Sequence, residues 1–408
     1  MRLQLGLHTQ VAHTVFARRE RYFRTSVGCG IAVAIRRRNE PMIRNIEIIR
    51  AHIDLVSPFR TSFAVELDRD LLFVRIIGDD AEGWGECVAM ADPLYSSEYV
   101  DGCEEVITRY LLPMVKPNTT VESFLAEASH IRGHFMSKAA VEAALLDYQL
   151  RTANMSLATY LGATQTKVAS GVSVGMQPSI DDLLKVVADY RAEGYVRVKL
   201  KIEPGLDIEP VRAVRDAFGP DMLLQVDANA AYTVSDADHL AKLDQFNLLL
   251  IEQPLPEEDL VGHVELSKRI ATPICLDESI TSFDVARGAL DINACSIINI
   301  KPGRVGGYVE AKRIHDLCYS RDVPVWCGGM LETGVGRAAN LALAALPGFT
   351  LPGDTSASKR YFTEDITAPF ELVDGYIEVP NTAGIGVRPI EEVLNRMTSR
   401  RETFAVSH

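Results

Sequence analysis

After Ser170 the chain settles into a rhythm of short, continuously apolar runs separated by stretches with helical spacing, repeating about every 25 residues. The apolar runs fall at 195–200, 222–226, 248–251, 273–276, 296–300, 323–327 and 348–351, and residues 171–174 make an eighth. Strands that are apolar throughout belong in a parallel sheet covered by helices, and eight such units close naturally into a barrel. A doubly wound open sheet is the alternative reading of the same pattern. Before Ser170 the pattern is mixed. Residues 71–77 read as a strand, Gly78-Asp79-Asp80 as a turn and the stretch around Trp84 as a returning strand, which predicts a hairpin. Ala140, Val141, Ala144, Leu145 and Tyr148 share one helical face over residues 137–150, with Ser137 as the expected N-cap. Strands followed by helices mark an α+β domain.

Composition then sets limits. The 408 residues are 47% apolar and 24% charged, enough to bury a large core and too apolar for a disordered chain. No run reaches the roughly 18 consecutive apolar residues that read as a membrane span. Residues 1–41 hold eight Arg and two Glu, a net +6, so the remaining 367 carry −19 and the whole chain −13. An acidic body repels phosphate backbones, so no nucleic-acid partner is expected. The seven cysteines, Cys29, Cys87, Cys103, Cys275, Cys295, Cys318 and Cys327, form no paired metal or disulfide spacing, which fits reduced thiols in a cytoplasm. An apolar run at 29–35 closed by Arg36-Arg37-Arg38 precedes Met42. Residues 1–41 therefore read as an N-terminal extension, a poorly ordered tail or a start-site artefact, with Met42 as the working start.

Polar residues recur where the apolar runs end: Lys199 and Lys201, Asp227, Glu252, Asp277, then Lys301. Counted from Lys201, the steps are 26, 25, 25 and 24 residues. In a barrel, steps of one strand-helix unit return the chain to the same rim, so these side chains converge at the C-terminal mouth. Three carboxylates in a partly dry mouth must protonate, repel or hold a cation. An all-oxygen set without His or Cys favours Mg2+, with Mn2+ or another divalent ion as a substitute, and Asp227, Glu252 and Asp277 are the expected ligands. One such Asp often merely caps the next helix; three in consecutive units make that reading weak. Lys199 and Lys201 lie two apart on a strand and face inward together, where burial and like charge lower an amine toward the range of a general base. Lys301 lies four units further on, half of an eight-unit circuit, and approaches from across the mouth. Two bases around a cation suit removal of a proton next to a carboxylate through an enediolate. Ser-His-Asp catalysis finds no His at a strand end, and Schiff-base chemistry leaves the carboxylates unexplained. Gly334-Val335-Gly336-Arg337-Ala338-Ala339 matches a dinucleotide-binding pattern but lacks the units that should follow it. It reads instead as close helix packing, with helix-end amides facing an anionic substrate group.

Lys199-Leu200-Lys201, Asp227-Ala228-Asn229, Glu252-Gln253-Pro254, Asp277-Glu278-Ser279 and Asn299-Ile300-Lys301-Pro302-Gly303-Arg304 together resemble the enolase superfamily. Pro58-Phe59-Arg60-Thr61-Ser62-Phe63, Gly83-Trp84-Gly85-Glu86-Cys87, Pro93-Leu94-Tyr95-Ser96-Ser97-Glu98-Tyr99 and Gly328-Gly329-Met330-Leu331-Glu332-Thr333-Gly334 are similar to its o-succinylbenzoate synthase and N-acylamino acid racemase family. The likeness runs from Met42 to about Ile390. It implies an α/β fold: a modified TIM barrel, (β/α)7β, over residues 166–365, an α+β capping domain over 42–165, and a C-terminal segment, 366–408, returning to the cap. It also implies Asp227, Glu252 and Asp277 as Mg2+ ligands, Lys201 and Lys301 as the acid/base pair, and Lys199 as a tuner of Lys201.

Phe59 and Tyr95 match cap segments that cover the substrate, and Ser173, Asn229, Met330 and Asp354 fall where pocket contacts are expected. The implied activity is racemisation of N-succinyl- or other N-acylamino acids. The alternative is o-succinylbenzoate synthesis, a dehydration in menaquinone biosynthesis, and one pocket can serve both. Arg304 favours the racemase, because its guanidinium can lower the Lys301 amine. Cys327-Gly328-Gly329 replaces the catalytic His of mandelate-racemase relatives, and Pro352-Gly353-Asp354-Thr355 lacks the Asp-x-Asp pair of dipeptide epimerases, so a substrate with an acylated amine fits better. The expected partners are a small-molecule carboxylate substrate and further copies of the chain in a homo-oligomer, with no membrane. A catalytically dead binding barrel is the reading from another class.

Overall fold

The computed structural model describes residues 42–407; Cys29, the basic run and the rest of the expected extension lie outside them. β1 (Ile43–Arg60) runs antiparallel to β2 (Val65–Gly78), which pairs with β3 (Glu82–Cys87). β11 (Thr398–Ala405) joins the other side of β1, giving the order β11-β1-β2-β3. The hairpin expected at Gly78 is present, whereas β1 is concealed in the sequence. Its buried positions run through Ile46 and Ile48, then change phase to Ile49, Ala51 and Ile53, and its register with β11 shifts at Arg50 and Ala51. A change of phase sends later side chains to the other face and erases the period-two signal.

Helix α1 (Phe135–Thr152) packs on β3, where a Cβ at Gly83 or Gly85 would run into the backbone of Ala144 or Ala140. The helix starts before Ser137. His134 holds the N-cap position in the left-handed conformation, φ 52°, and the amides of Met136 and Ser137 donate to Glu98 at 2.9 and 3.1 Å. A carboxylate from the preceding loop thus satisfies the orphan amides, replacing the cap expected of Ser137.

The second sheet is parallel: β4 (Gly171–Val174), β5 (Arg197–Lys201), β6 (Leu223–Asp227), β7 (Ile251–Glu252), β8 (Ile274–Leu276), β9 (Ile297–Ile300) and β10 (Val325–Cys327), adjacent in sequence order. Helices alternate with the strands, among them α2 (Ile180–Glu193), α3 (Tyr308–Tyr319) and α4 (Gly334–Ala344). The eighth strand expected at 348–351 is not a regular strand. Pro352 and Gly353 follow it directly, and Pro has no amide to donate while Gly weakens extended structure. The segment still joins the two ends of the sheet: Phe349 bridges to Val325, and Gly353 bridges to Ser170. The open-sheet alternative is thereby excluded in favour of a curled α/β barrel with an antiparallel cap.

The amides at the start of α4 are not free for a substrate. Those of Thr333 and Gly336 donate to Glu86 at 3.0 and 2.9 Å, and that of Gly334 donates to Asp365 at 2.8 Å. The expected close packing does hold, since a Cβ at Gly334 would strike Thr367. Among the described residues no helix is long and apolar enough to cross a membrane, and the six described cysteines are free and buried.

Glu142 on α1 lies buried beneath the first turn of α3, accepting from the amides of Tyr308 and Val309 at 3.1 and 2.9 Å. Burial pushes its carboxyl up to about 7, against the pull of those two amides. Because the folded value exceeds the unfolded one, the native state holds the extra proton in the window from 4.5 to about 7. Stability therefore falls as pH rises through that window and stays lower above it. In Glu142→Gln the slope of unfolding free energy against pH should lessen by up to about 1.4 kcal/mol per unit. Denaturant unfolding across the window checks this, and parallel slopes for the two chains would contradict it.

Candidate active site

Parallel pairing sets the mouth of the barrel. Lys201 stands opposite Asp227 and Asp227 opposite Glu252, so the ends of β5, β6 and β7 present a cation and two carboxylates side by side. Asp277 directly follows β8 and Lys301 directly follows β9. Five consecutive strand ends thus supply the six side chains expected there. Lys199, Asp227, Glu252, Asp277 and Lys301 are all buried.

Lys201 Nζ donates to Asp227 Oδ2 at 2.6 Å and to Asn229 Oδ1 at 2.7 Å. Lys199 Nζ lies 2.7 Å from Asp354, 2.9 Å from Glu252 and 3.2 Å from Asp227. Across the mouth, Lys301 Nζ is 2.8 Å from Asp277 Oδ2 and donates to the Tyr95 hydroxyl at 3.0 Å. Arg304 also pairs with Asp277, and donates to the carbonyls of Ile280 and Asn299 at 2.8 and 2.7 Å. None of the three carboxylates serves as a helix N-cap.

The amines do not sit where crowding alone would put them. Burial lowers Lys199, but Asp354, Glu252 and Asp227 outweigh it and hold the amine above its usual value. Burial likewise lowers Lys301, and the Tyr95 hydroxyl with the carboxylates of Glu278 and Glu252 outweighs it. The lowering expected from like charge at Lys199, and from Arg304 at Lys301, is thus reversed by the facing acids. For Asp227, burial acts upward and the ammonium groups of Lys201 and Lys199 act downward more strongly, leaving its carboxyl well below the usual range. Glu252 is raised by burial and by Asp227.

Other expected contacts are more dispersed. Ser173 faces Lys199 in register, and its buried hydroxyl has no partner among the described residues. Met330 is buried and lines a small void together with Lys301. Phe59 instead packs edge-on against Tyr361, with centroids 6.4 Å apart, and it is Phe63 that meets Tyr95, at 6.1 Å. Three members escaped the sequence reading. Arg197 is wholly buried, lies 2.8 Å from Asp354 and stacks over Trp326. Asn299 donates to Glu252 at 2.8 Å, and Glu278 accepts from Asn229 at 2.8 Å. Arg197 and Asn299 stand two residues before Lys199 and Lys301, so the period of the strand was a usable signal for both.

Three buried carboxylates on neighbouring strands suit a hard divalent cation in donor type and charge. They are paired with the lysines, and the trio whose ligand atoms all lie within 4.8 Å of one another, among the described residues, is instead His52, Asp54 and Asp68 on the exposed face of β1 and β2. Those three are solvated and remote in sequence from every strand end of the barrel. A cleft of about 380 Å3 lined by Tyr95, Asn229 and Glu278 adjoins the cluster. A larger hollow, about 920 Å3, lies on the cap around Arg50 and Arg400 and contains no member of it.

A profile of the enolase C-terminal domain-like family matches residues 182–393, and one of the mandelate racemase / muconate lactonizing enzyme N-terminal domain matches 43–162. The chain belongs to the enolase superfamily. Within it, the chain is 55% identical over 361 residues to the N-succinylamino acid racemase of an Amycolatopsis species, covering 88% of this chain and 98% of that protein. It is 47% identical over 371 residues to the o-succinylbenzoate synthase of Geobacillus kaustophilus, covering 89% and 98%. A crystal structure of an enolase superfamily member from Listeria innocua superposes with a TM-score of 0.86 at 40% identity, covering 90% of this chain and all of that one. The family likeness read from the motifs is therefore correct, as is the barrel-and-cap architecture.

Proposed function

We propose that this chain is a Mg2+-dependent racemase of N-succinylamino acids. The observation that carries the reading is the placing of Lys201 and Lys301 at the ends of β5 and β9, with Asp227, Glu252 and Asp277 at the ends of the three strands between. A substrate Cα held among these groups meets an amine on each face. One lysine, neutral, takes the α-proton, and negative charge spreads into the substrate carboxylate. The other lysine, protonated, returns a proton to the opposite face, and the configuration inverts. Asp227, Glu252 and Asp277 would hold a divalent ion, which would supply electrostatic stabilisation for the charge on the substrate carboxylate. Binding asks those three carboxylates to turn toward one another. Asn229 holds Lys201 in place, while Tyr95 orients Lys301. The identity to the Amycolatopsis racemase supports the substrate class, and the free, buried cysteines support a reducing cytoplasmic setting.

The 47% identity to the Geobacillus enzyme favours a second reading, o-succinylbenzoate synthesis at the same site. That reaction needs one lysine to take the proton and assist departure of hydroxide, and it uses the same charge stabilisation. One enantiomer of N-succinylphenylalanine incubated in deuterated water with Mg2+ separates the two. The racemase exchanges the α-proton and yields both enantiomers. Absence of exchange, together with dehydration of the cyclohexadienyl precursor of o-succinylbenzoate, would move the assignment to the synthase.

A further inference from the structure

The cleft of about 380 Å3 at the mouth opens on the gap between the two amines. Asn229, which accepts from Lys201, and Tyr95, which accepts from Lys301, both line it. Phe63, Pro93 and Leu94 from the cap and Pro256 from the loop after β7 give it apolar walls. Glu257, Glu258 and Glu278 supply its charge, and no lysine, arginine or histidine is among the lining residues. Glu278 is only 6% exposed. One of its oxygens accepts from Asn229 at 2.8 Å, and the other, Oε2, has no partner among the described residues. A buried carboxylate oxygen without a donor is costly, so its place beside the cleft points to a donor brought by the ligand.

We infer that this cleft receives the amino-acid side chain of the substrate and selects a cationic one, that of lysine or arginine, an inference that rests on the racemase reading above. A Cα between Lys201 and Lys301, with its carboxylate toward Asp227, Glu252 and Asp277, has two other large substituents, the acyl arm and the side chain. The succinyl arm ends in a carboxylate, which three glutamates with no facing cation repel. The side chain is the part that fits. Its aliphatic stem lies along Phe63, Leu94 and Pro256 while its charged head meets the glutamates, the way long cationic side chains settle on a partly apolar surface. An N–H of that head turned to Glu278 gives Oε2 the donor it lacks, in a charge-assisted bond.

The test compares kcat/KM for racemisation of N-succinyl-lysine, N-succinyl-norleucine and N-succinyl-glutamate in the wild type and in the double variant Glu257→Gln/Glu258→Gln, with Mg2+. Norleucine keeps a four-carbon stem and lacks the ammonium. The wild type should favour lysine over norleucine by roughly 10- to 100-fold and use glutamate least. The double variant should lower the lysine-to-norleucine ratio by about three- to tenfold and raise glutamate relative to norleucine. Ratios within one chain do not depend on the fraction folded. A lysine-to-norleucine ratio near one in the wild type, or one that the two substitutions leave unchanged, would overturn the side-chain assignment alone. A wild-type chain that exchanges the α-proton of none of the three overturns the racemase reading and this inference with it.

Discussion

Lys201→Ala and Lys301→Ala should each lose racemisation by roughly 10²- to 10⁴-fold or more, the usual contribution of a positioned acid or base. The informative result is the residue of activity. Each variant keeps one amine on one face of the substrate, so it should still wash deuterium into one enantiomer without inverting it, and the two variants should choose opposite enantiomers. Proton NMR of each enantiomer in deuterated water follows exchange, and chiral chromatography follows inversion. Both variants exchanging the same enantiomer, or either inverting at the wild-type rate, would mean the two lysines do not flank the reacting carbon. The ion pairs of Lys201 with Asp227 and of Lys301 with Asp277 lie on separate strand ends, which is why each loss should act on one face only.

Asp354→Ala should cause the largest loss of stability, lowering the free energy of unfolding by about 3 to 5 kcal/mol, as expected when one partner of a buried ion pair is removed. Asp354 is buried and pairs with both Arg197 and Lys199 at 2.8 and 2.7 Å. Burial alone raises its carboxyl, yet Lys199 and Arg197 outweigh burial and hold it well below the usual range. Without it, among the described residues Arg197 keeps no carboxylate partner and Lys199 keeps only Glu252 and Asp227. Denaturant unfolding followed by tryptophan fluorescence suits the measurement, because both cations stack on Trp326. A variant as stable as the wild type would show that the pairing is dispensable.

The chemistry was legible because it is spaced by the fold. One polar residue per strand-helix unit, at nearly constant steps from Lys201 to Lys301, is a pattern that only a closed or curled parallel sheet converts into proximity. What stayed hidden depends on partners distant in sequence. The cap of α1 comes from Glu98 rather than Ser137, and the amides at the start of α4 are filled by Glu86 and Asp365 rather than left for a ligand. The eighth strand kept the apolar composition of a strand and isolated bonds to both neighbours, among them those from the Val325 amide to Gly348 and from the Gly171 amide to Gly353, but not a regular ladder. The Lys199 environment was misjudged for an electrostatic reason. Like charge and burial were counted along β5, whereas the decisive carboxylates arrive from β6, β7 and the segment after β10.

In the proposed mechanism one divalent ion is gripped by Asp227, Glu252 and Asp277. Crystals soaked in Mn2+ and measured at an energy sensitive to its anomalous scattering test it directly. A single strong peak is expected at the barrel mouth, within about 2.5 Å of an oxygen from each of the three carboxylates. A peak at His52, Asp54 and Asp68 instead, or none at the mouth while those carboxylates stay paired with the lysines, would contradict it.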